Sequence, residues 1–254
     1  MYEQIFSCKN KVAVVTGGGG LIGKEIAQAL ADFGAKVYVA EIDLPNETKT
    51  SSNFNFISLN TTSEDDVKRV FKQIADEEEK LDILVTCAYP RTKDWGAMVE
   101  DVPFESWKEN LNSQLGGTFI CCREAAEKMK NFGGGSIINL ASTYGVVAPD
   151  FSIYEGTKMT MTVAYSAIKS GLIGLTRYLA TYYAKDNIRA NSISPGGILD
   201  EQPDSFVNRY TKKTPLGRMG KASEMVGSVI FLASESSSYV TGQNLLIDGG
   251  WTAW

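Results

Sequence analysis

Tyr165 and Lys169 stand four residues apart in the run Tyr165-Ser166-Ala167-Ile168-Lys169. On a helix that spacing places both side chains on one face. A free phenol has a pKa near ~10, about three pH units from use at neutrality, or roughly 4 kcal/mol. An ammonium beside it stabilises the phenolate and brings that value down. Such a pair can take a proton from an alcohol or return one to a carbonyl. A second run of the same spacing, Tyr154 to Lys158, contains Gly156 and is followed by Met159-Thr160-Met161-Thr162. Those residues make a poor helix, so Lys158 need not lie beside Tyr154. The 254 residues include no histidine. Hydrolases built on Ser-His-Asp or Cys-His, imidazole zinc sites and histidine pH switches are thereby excluded.

A second chemical feature is the turn Thr16-Gly17-Gly18-Gly19-Gly20-Leu21-Ile22-Gly23. Glycines there permit positive φ and let backbone N–H groups approach a pyrophosphate at a helix N-terminus. Gly18 to Glu25 also comes close to the triphosphatase loop GxxxxGK[ST], but Glu25 stands where the Mg²⁺-binding hydroxyl belongs, and its charge would face phosphate. Glu41, at the end of the second apolar run, is placed to accept hydrogen bonds from an adenosine ribose. A 2′-phosphate at ~4 Å and an effective dielectric of ~20 would be repelled by about 4 kcal/mol. NAD(H) is therefore expected over NADP(H), and the preference is the same if Asp43 rather than Glu41 is the ribose ligand.

Apolar strands alternate with amphipathic helices along the whole chain. Strands are predicted at 11–16, 37–40, 54–59, 81–87, 136–141, 188–193 and 244–247. Helices are predicted after the glycine turn, from a capping box at Ser63 and Asp66, over 113–129, through Ile168 to Leu179, and over 223–233. The acidic run Asp76 to Glu79 reads as a solvated helix end. The alternation implies a single α/β domain over 1–254, with a doubly wound parallel sheet of about seven strands and helices on both faces. Two connections, 144–164 and 196–221, are long enough to be substrate loops.

In order along the chain, Thr16-Gly17…Gly23, LDILV (81–85), Ser142 after SIINLA, YSAIK (165–169), IRANSISPGG (188–197), LASESSSYVTGQ (232–243) and IDGG (247–250) together resemble the short-chain dehydrogenase/reductase family over essentially the whole length. The resemblance implies a Rossmann-like fold and a nicotinamide cofactor. It makes Tyr165 the general acid/base, Lys169 its partner and a ligand of the nicotinamide ribose, and Ser142 the group steadying the reacting oxygen. Cofactor contacts are expected at Gly17, Gly20, Leu21, Ile22, Gly23, Glu41, Asn60, Thr61, Cys87, Ala88, Pro195, Gly196 and Ile198, as well as at Tyr165 and Lys169. It also favours Tyr165 over Tyr154, because one helix and one strand separate the tyrosine from Pro-Gly. There are three departures. Leu21 stands where a motif glycine is usual. Thr86-Cys87-Ala88-Tyr89 replaces Asn-Asn-Ala-Gly, so Tyr89 is expected to reach the substrate cleft. Gln114 aligns with the asparagine that helps organise a relay water.

On the substrate side, Arg91 and Lys93 follow the fourth strand and could pair with a phosphate or carboxylate. Tyr154 and the apolar residues around it would line the cleft. AYPR (88–91), STYGVVAP, IYEGT and SPGGILDEQP are similar to a subgroup called flagellin-modification oxidoreductases, which accompany genes for nonulosonic acids. The expected substrate is then a phosphosugar or nucleotide sugar. A non-catalytic NAD-binding protein and an epimerase or dehydratase using transient oxidation are the alternatives. A net charge of −5 argues against nucleic acid as a partner. No apolar run reaches membrane-spanning length and the N-terminus lacks a signal-peptide core. Cys8, Cys87, Cys121 and Cys122 contain no CxxC pair and suit neither a disulfide framework nor a metal. The expectation is a cytoplasmic protein without a metal, and relatives in the family commonly form homotetramers, or homodimers, through two long central helices.

Overall fold

A computed structural model describes residues 2–44 and 54–254. The run Val12–Thr16 (β1) is buried at every position because both faces of the strand are covered, the pattern of a parallel sheet. The other strands are β2 (Lys36–Glu41), β3 (Phe54–Ser58), β4 (Ile83–Thr86), β5 (Gly135–Leu140), β6 (Ile188–Pro195) and β7 (Asn244–Ile247). All pair in parallel in the order β3-β2-β1-β4-β5-β6-β7. The order reverses between β1 and β4, and open sheets of this kind bind ligands past the strand ends at that crossing.

Alternate residues of one strand feed opposite layers. Val12 and Val14 join Val67, Phe71 and Ile74 of α2 (Glu64–Glu78) and Cys121, Ala125 and Met129 of α4 (Gly117–Met129). Leu179 and Ala180 of α5 (Val163–Tyr182) close that layer. Ala13 and Val15 join Ile26 and Leu30 of α1 (Leu21–Asp32) and Val229 and Ile230 of α7 (Val226–Ala233) on the other side. Helices therefore cover both faces, as the alternation predicts.

Several local expectations differ from the structure. The helix expected over 113–129 begins earlier, as α3 (Phe104–Asn110), and passes through a π-helical turn at Leu111–Gly116 into α4. The paired glycines Gly116 and Gly117 weaken the helical signal there, while Trp107, Leu111 and Leu115 supply a partly buried apolar stripe. The connection 196–221 contains α6 (Asp204–Lys213), docked through Phe206 and Tyr210. The capping box is half formed. Ser63 Oγ accepts from Asp66 N, but the Asp66 carboxylate accepts from Asn60 N at 2.7 Å instead of reaching back to Ser63. Nor is the acidic run wholly solvated, since Glu78 pairs with Lys36 at 2.5 Å and takes the Tyr38 hydroxyl hydrogen bond. Cys121 and Cys122 both lie in the packed interior, and all four thiols are free. Among the described residues no helix is long and apolar enough to cross a membrane.

Candidate active site

The glycine turn leaves β1 at the sheet's crossing point. Gly17 has φ +66°, and a Cβ there would lie 2.6 Å from Ala88 N, so the chain ends leaving β1 and β4 nearly touch. A Cβ on Gly23 would fall 2.1 Å from Gly17 O, which lets α1 start tight against the turn. No side chain caps α1 at Gly20, so the helix end presents its backbone N–H groups outward. Glu41, at the end of β2, accepts from Gly19 N at 2.6 Å. The chain thus offers a cradle too narrow for side chains, a helix N-terminus and a carboxylate, which fits a dinucleotide.

The cradle is one end of a cleft of about 750 Å³. Gly17, Gly20, Leu21, Ile22, Gly23, Glu41 and Cys87 line that end, and Ser142, Tyr165, Lys169, Pro195, Gly196 and Ile198 line its middle. Ala88 lies against Gly17 behind the lining. Asn60 and Thr61 do not line the cleft. Asn60 Oδ1 accepts from Thr62 N and Oγ1, and Thr61 O packs beside Gly117.

Tyr165 and Lys169 both sit on α5, whereas Tyr154 ends a short turn of helix before Gly156 at φ +69°. The second spacing therefore does not share a helix face. Tyr154 lines the cleft, and Lys158 does not. Lys169 is 7% exposed and donates to Leu140 O at 2.7 Å. Its Nζ lies 5.5 Å from the Tyr165 ring centroid. Burial lowers the Lys169 pKa to about 8, against a smaller raising effect of Cys87. Burial also holds the Tyr165 phenol above its ordinary value, with the Ser142 hydroxyl pulling it back. The ammonium of Lys169 and the positive nicotinamide ring of NAD⁺ are together expected to bring the phenol down, and among the protein's own groups burial has the largest effect on the hydroxyl. The Cys87 thiol is pushed up to about 12 by burial and stays neutral beside the lysine.

Gln114, 4% exposed in the π-helical turn, donates through Nε2 to Pro90 O at 2.8 Å. Its Oε1 is buried with no hydrogen-bond partner among the described residues. Gln114, Cys87 and Lys169 line a separate small cavity with room for about one water.

The far end of the cleft carries Tyr89, Arg91 and Trp95 on one side and Tyr144, Tyr154, Phe206 and Tyr210 on the other. Tyr144 and Tyr154 bring their hydroxyls to 3.5 Å. Tyr154, Phe206 and Tyr210 belong to one packed cluster with Ile153, Met219 and Trp251, so the two long connections fold against each other as one wall. Sequence reasoning missed Trp95, Tyr144, Phe206 and Tyr210. Only the i, i+4 pair Phe206 and Tyr210 carried a local signal, on a helix too short to stand out. Beneath the site, Asn139 accepts from Thr86 Oγ1 at 2.9 Å and donates to Thr176 Oγ1 at 2.9 Å, tying β4, β5 and α5 together. Among the described residues no cluster of His, Cys, Asp and Glu could hold a metal ion.

The family model described as enoyl-(acyl carrier protein) reductase matches residues 20–252. The post-translational flagellin modification protein A of Campylobacter coli is 34% identical over 254 residues, covering 96% of this chain and 98% of its own. An NAD-dependent glycerol dehydrogenase of Listeria innocua is 32% identical over 262 residues, covering 99% and 97%. The crystal structure of a short-chain dehydrogenase from Leptospira borgpetersenii with bound NAD⁺ superposes with a TM-score of 0.88 at 38% identity, over 96% of this chain and 93% of that one. With the glycine cradle, the parallel sheet and the Ser142–Tyr165–Lys169 cluster in one cleft, these likenesses make the chain a member of the short-chain dehydrogenase/reductase family, an oxidoreductase that uses a nicotinamide cofactor.

Proposed function

We propose that the protein is an NAD(H)-dependent oxidoreductase that interconverts a secondary alcohol and a ketone on a sugar derivative, a phosphosugar or nucleotide sugar. One observation carries this reading: Ser142, Tyr165 and Lys169 meet in the same cleft as the glycine cradle and Glu41. The likeness to a protein named for flagellin modification and to one named for NAD-dependent glycerol oxidation supports a polyhydroxylated substrate.

The cofactor, when bound, supplies the hydride acceptor or donor and, when oxidised, a positive ring near the phenol. Tyr165 takes the proton of the substrate hydroxyl at its own oxygen, or gives one back to the carbonyl. Ser142 donates a hydrogen bond to the reacting oxygen and steadies its charge. Lys169 holds positive charge against the Tyr165 ring and would hold the nicotinamide ribose. Gln114 holds one water in the small cavity beside Lys169, and that water passes the proton outward. Gly17, Gly20, Leu21, Ile22 and Gly23 would take the pyrophosphate, and Glu41 would take the ribose. Asn60 and Thr61, outside the cleft lining, would meet the adenine end only at its edge, and Cys87, Ala88, Pro195, Gly196 and Ile198 would complete the nicotinamide side. Tyr89 and Tyr154 contact substrate, and Arg91 pairs with its anionic group.

We read residues 1–254 as one domain and place the protein in the cytoplasm, where its four free thiols stay reduced. We infer a homotetramer, or at least a homodimer, and the apolar groove lined by Trp107, Leu111, Leu115 and Phe119 opposite Leu175 of α5 supports it. A second copy of the chain is its occupant, and sedimentation of the purified protein tests this.

The reading is tested by screening phosphosugars and nucleotide sugars with NAD⁺ for NADH formation at equal pH and ionic strength. NADH formation with at least one phosphosugar or nucleotide sugar, and little with their neutral parent sugars, is expected. Turnover of neutral alcohols alone would remove the anionic substrate. An isomerised product without net NADH would replace the dehydrogenase with an epimerase.

A further inference from the structure

Tyr89 stands where the family pattern has a glycine, and its ring packs edge-to-face on Tyr165, with centroids 5.9 Å apart and planes at 84°. Trp95 completes the cluster, 5.5 Å from Tyr89 and 6.3 Å from Tyr165. The Lys169 Nζ lies 5.6 Å from the Tyr89 centroid and 5.5 Å from the Tyr165 centroid, so the ammonium is shared between two aromatic faces. Its hydrogen bond to a protein acceptor is to the Leu140 carbonyl, and among the described residues no carboxylate pairs with it.

A buried ammonium without a carboxylate must draw its stabilisation from dipoles and ring quadrupoles. We propose that Tyr89 is a positioning residue that clamps the Lys169 ammonium against the Tyr165 ring. This rests on the reading of Tyr165 and Lys169 as the acid/base pair, and it goes beyond the substrate contact assigned to Tyr89 above. Arg91 stacks on the same Tyr89 ring at 5.2 Å and holds it in place from the rim of the cleft.

The clamp has a consequence for pH. The titratable groups around Lys169 are Cys87 past the end of β4, Tyr89 after it, Tyr144 in the turn after Ser142, and Tyr165 on α5 itself. Outside these, Glu41 acts on Cys87 and Arg91 on Tyr89. Cys87, Tyr89 and Tyr144 are all pushed up by burial, and their neutral forms leave the charge of Lys169 to the rings. Removing the Tyr89 ring while keeping apolar bulk destabilises the charged lysine, so the ammonium is lost at lower pH. The expected displacement is about one pH unit downward.

The test is a ¹³C NMR titration of the cofactor-free protein carrying ¹³Cε-lysine, with the Lys169 signal assigned by its loss in Lys169→Arg. Tyr89→Phe keeps the ring and is expected to leave the Lys169 midpoint where it is in the wild type. Tyr89→Leu is expected to lower it by about one unit, and in the holoenzyme to bring the alkaline fall of kcat down with it. Tyr89 is 38% exposed on a loop, and Tyr89→Met serves if the leucine variant does not fold. A Lys169 midpoint unmoved or raised in the leucine and methionine variants would overturn the clamp. So would a phenylalanine variant that shifts as far as leucine, since the hydroxyl would then be responsible. Because the titration needs no substrate, it reads the clamp even if no sugar is oxidised.

Discussion

Replacing Glu41 by Gln separates two things that its carboxylate does at once. Glu41 Oε1 accepts from Gly19 N at 2.6 Å, and a glutamine amide oxygen can accept the same bond, so Glu41→Gln keeps the turn and removes the charge. Towards NADP⁺ the lost term is repulsion of the 2′-phosphate, about 4 kcal/mol for unit charges at ~4 Å and a dielectric of ~20. Glu41 is only half-buried, and salt screens an exposed pair, so about half of that, ~2 kcal/mol, is a better expectation. That tightens NADP⁺ by roughly thirtyfold. Towards NAD⁺ the variant loses a charge-assisted bond to the ribose, about 1 kcal/mol, or roughly fivefold in affinity. The ratio of the two dissociation constants should therefore move by about a hundredfold towards NADP⁺. Isothermal calorimetry with each cofactor at low and high salt measures it, and the gain for NADP⁺ should shrink at high salt. A ratio that moves by less than about threefold would take Glu41 out of the ribose site.

Tyr165→Phe keeps the ring that packs on Tyr89 and Trp95 and removes only the hydroxyl, so cofactor affinity should survive by calorimetry while turnover falls on the order of a thousandfold. Activity within tenfold of wild type would give the proton transfer to another group. Asn139→Ala leaves the buried Thr86 and Thr176 hydroxyls without their shared partner and opens a small void. The variant should lose about 3 kcal/mol in urea unfolding, and a loss below about 1 kcal/mol would mean that the two threonines re-pair or that water replaces the amide.

The parts of the fold written most plainly in the residues are those where one physical demand acts alone. β1, β2 and β4 are legible because strands buried on both faces must be apolar at nearly every position. Gly17 and Gly23 are legible because no other residue fits where a Cβ would meet backbone. Tyr165 and Lys169 are legible because a single helix carries both. What stays hidden depends on chain segments distant in sequence. The beginning of the long helix at Phe104 is masked by the glycine pair at 116 and 117, and is held by Trp107 and Leu111 packing near α5. α6 forms because Phe206 and Tyr210 have Tyr154 and Trp251 to pack on, which no window around residue 204 contains. The half-formed capping box has the same origin, since Asp66 finds the Asn60 N–H nearer than that of Ser63. The shape of the reacting centre is the extreme case. Tyr89 comes from a different stretch than Tyr165 and Lys169, and only the folded chain brings the Tyr89 and Tyr165 rings around one ammonium.

Lys169 also makes the site a load on the fold, with a definite pH signature. Its folded-state pKa, about 8, lies below the ordinary 10.5, so burial disfavours the charged form. Below pH 8 both folded and unfolded chains hold the proton, and the full penalty for burying it, about 3 kcal/mol, is present. Between pH 8 and 10.5 the unfolded chain binds more protons than the folded one, so this contribution to stability rises with pH until the penalty is gone. Lys169→Met keeps the length and apolar stem without the charge, although it strands the Leu140 carbonyl at a cost of about 1 kcal/mol. The variant should be inactive yet about 2 kcal/mol more stable than wild type at pH 7, and the gap should close as pH rises from about 8 towards 10. Urea unfolding of both proteins across that range, with cofactor absent, measures the difference. A variant less stable than wild type at pH 7, or a gap that does not change with pH, would show that the charge of Lys169 is already compensated in the folded protein. Compensation of that kind would have to come from the aromatic faces of Tyr89 and Tyr165, and the two titrations together apportion it.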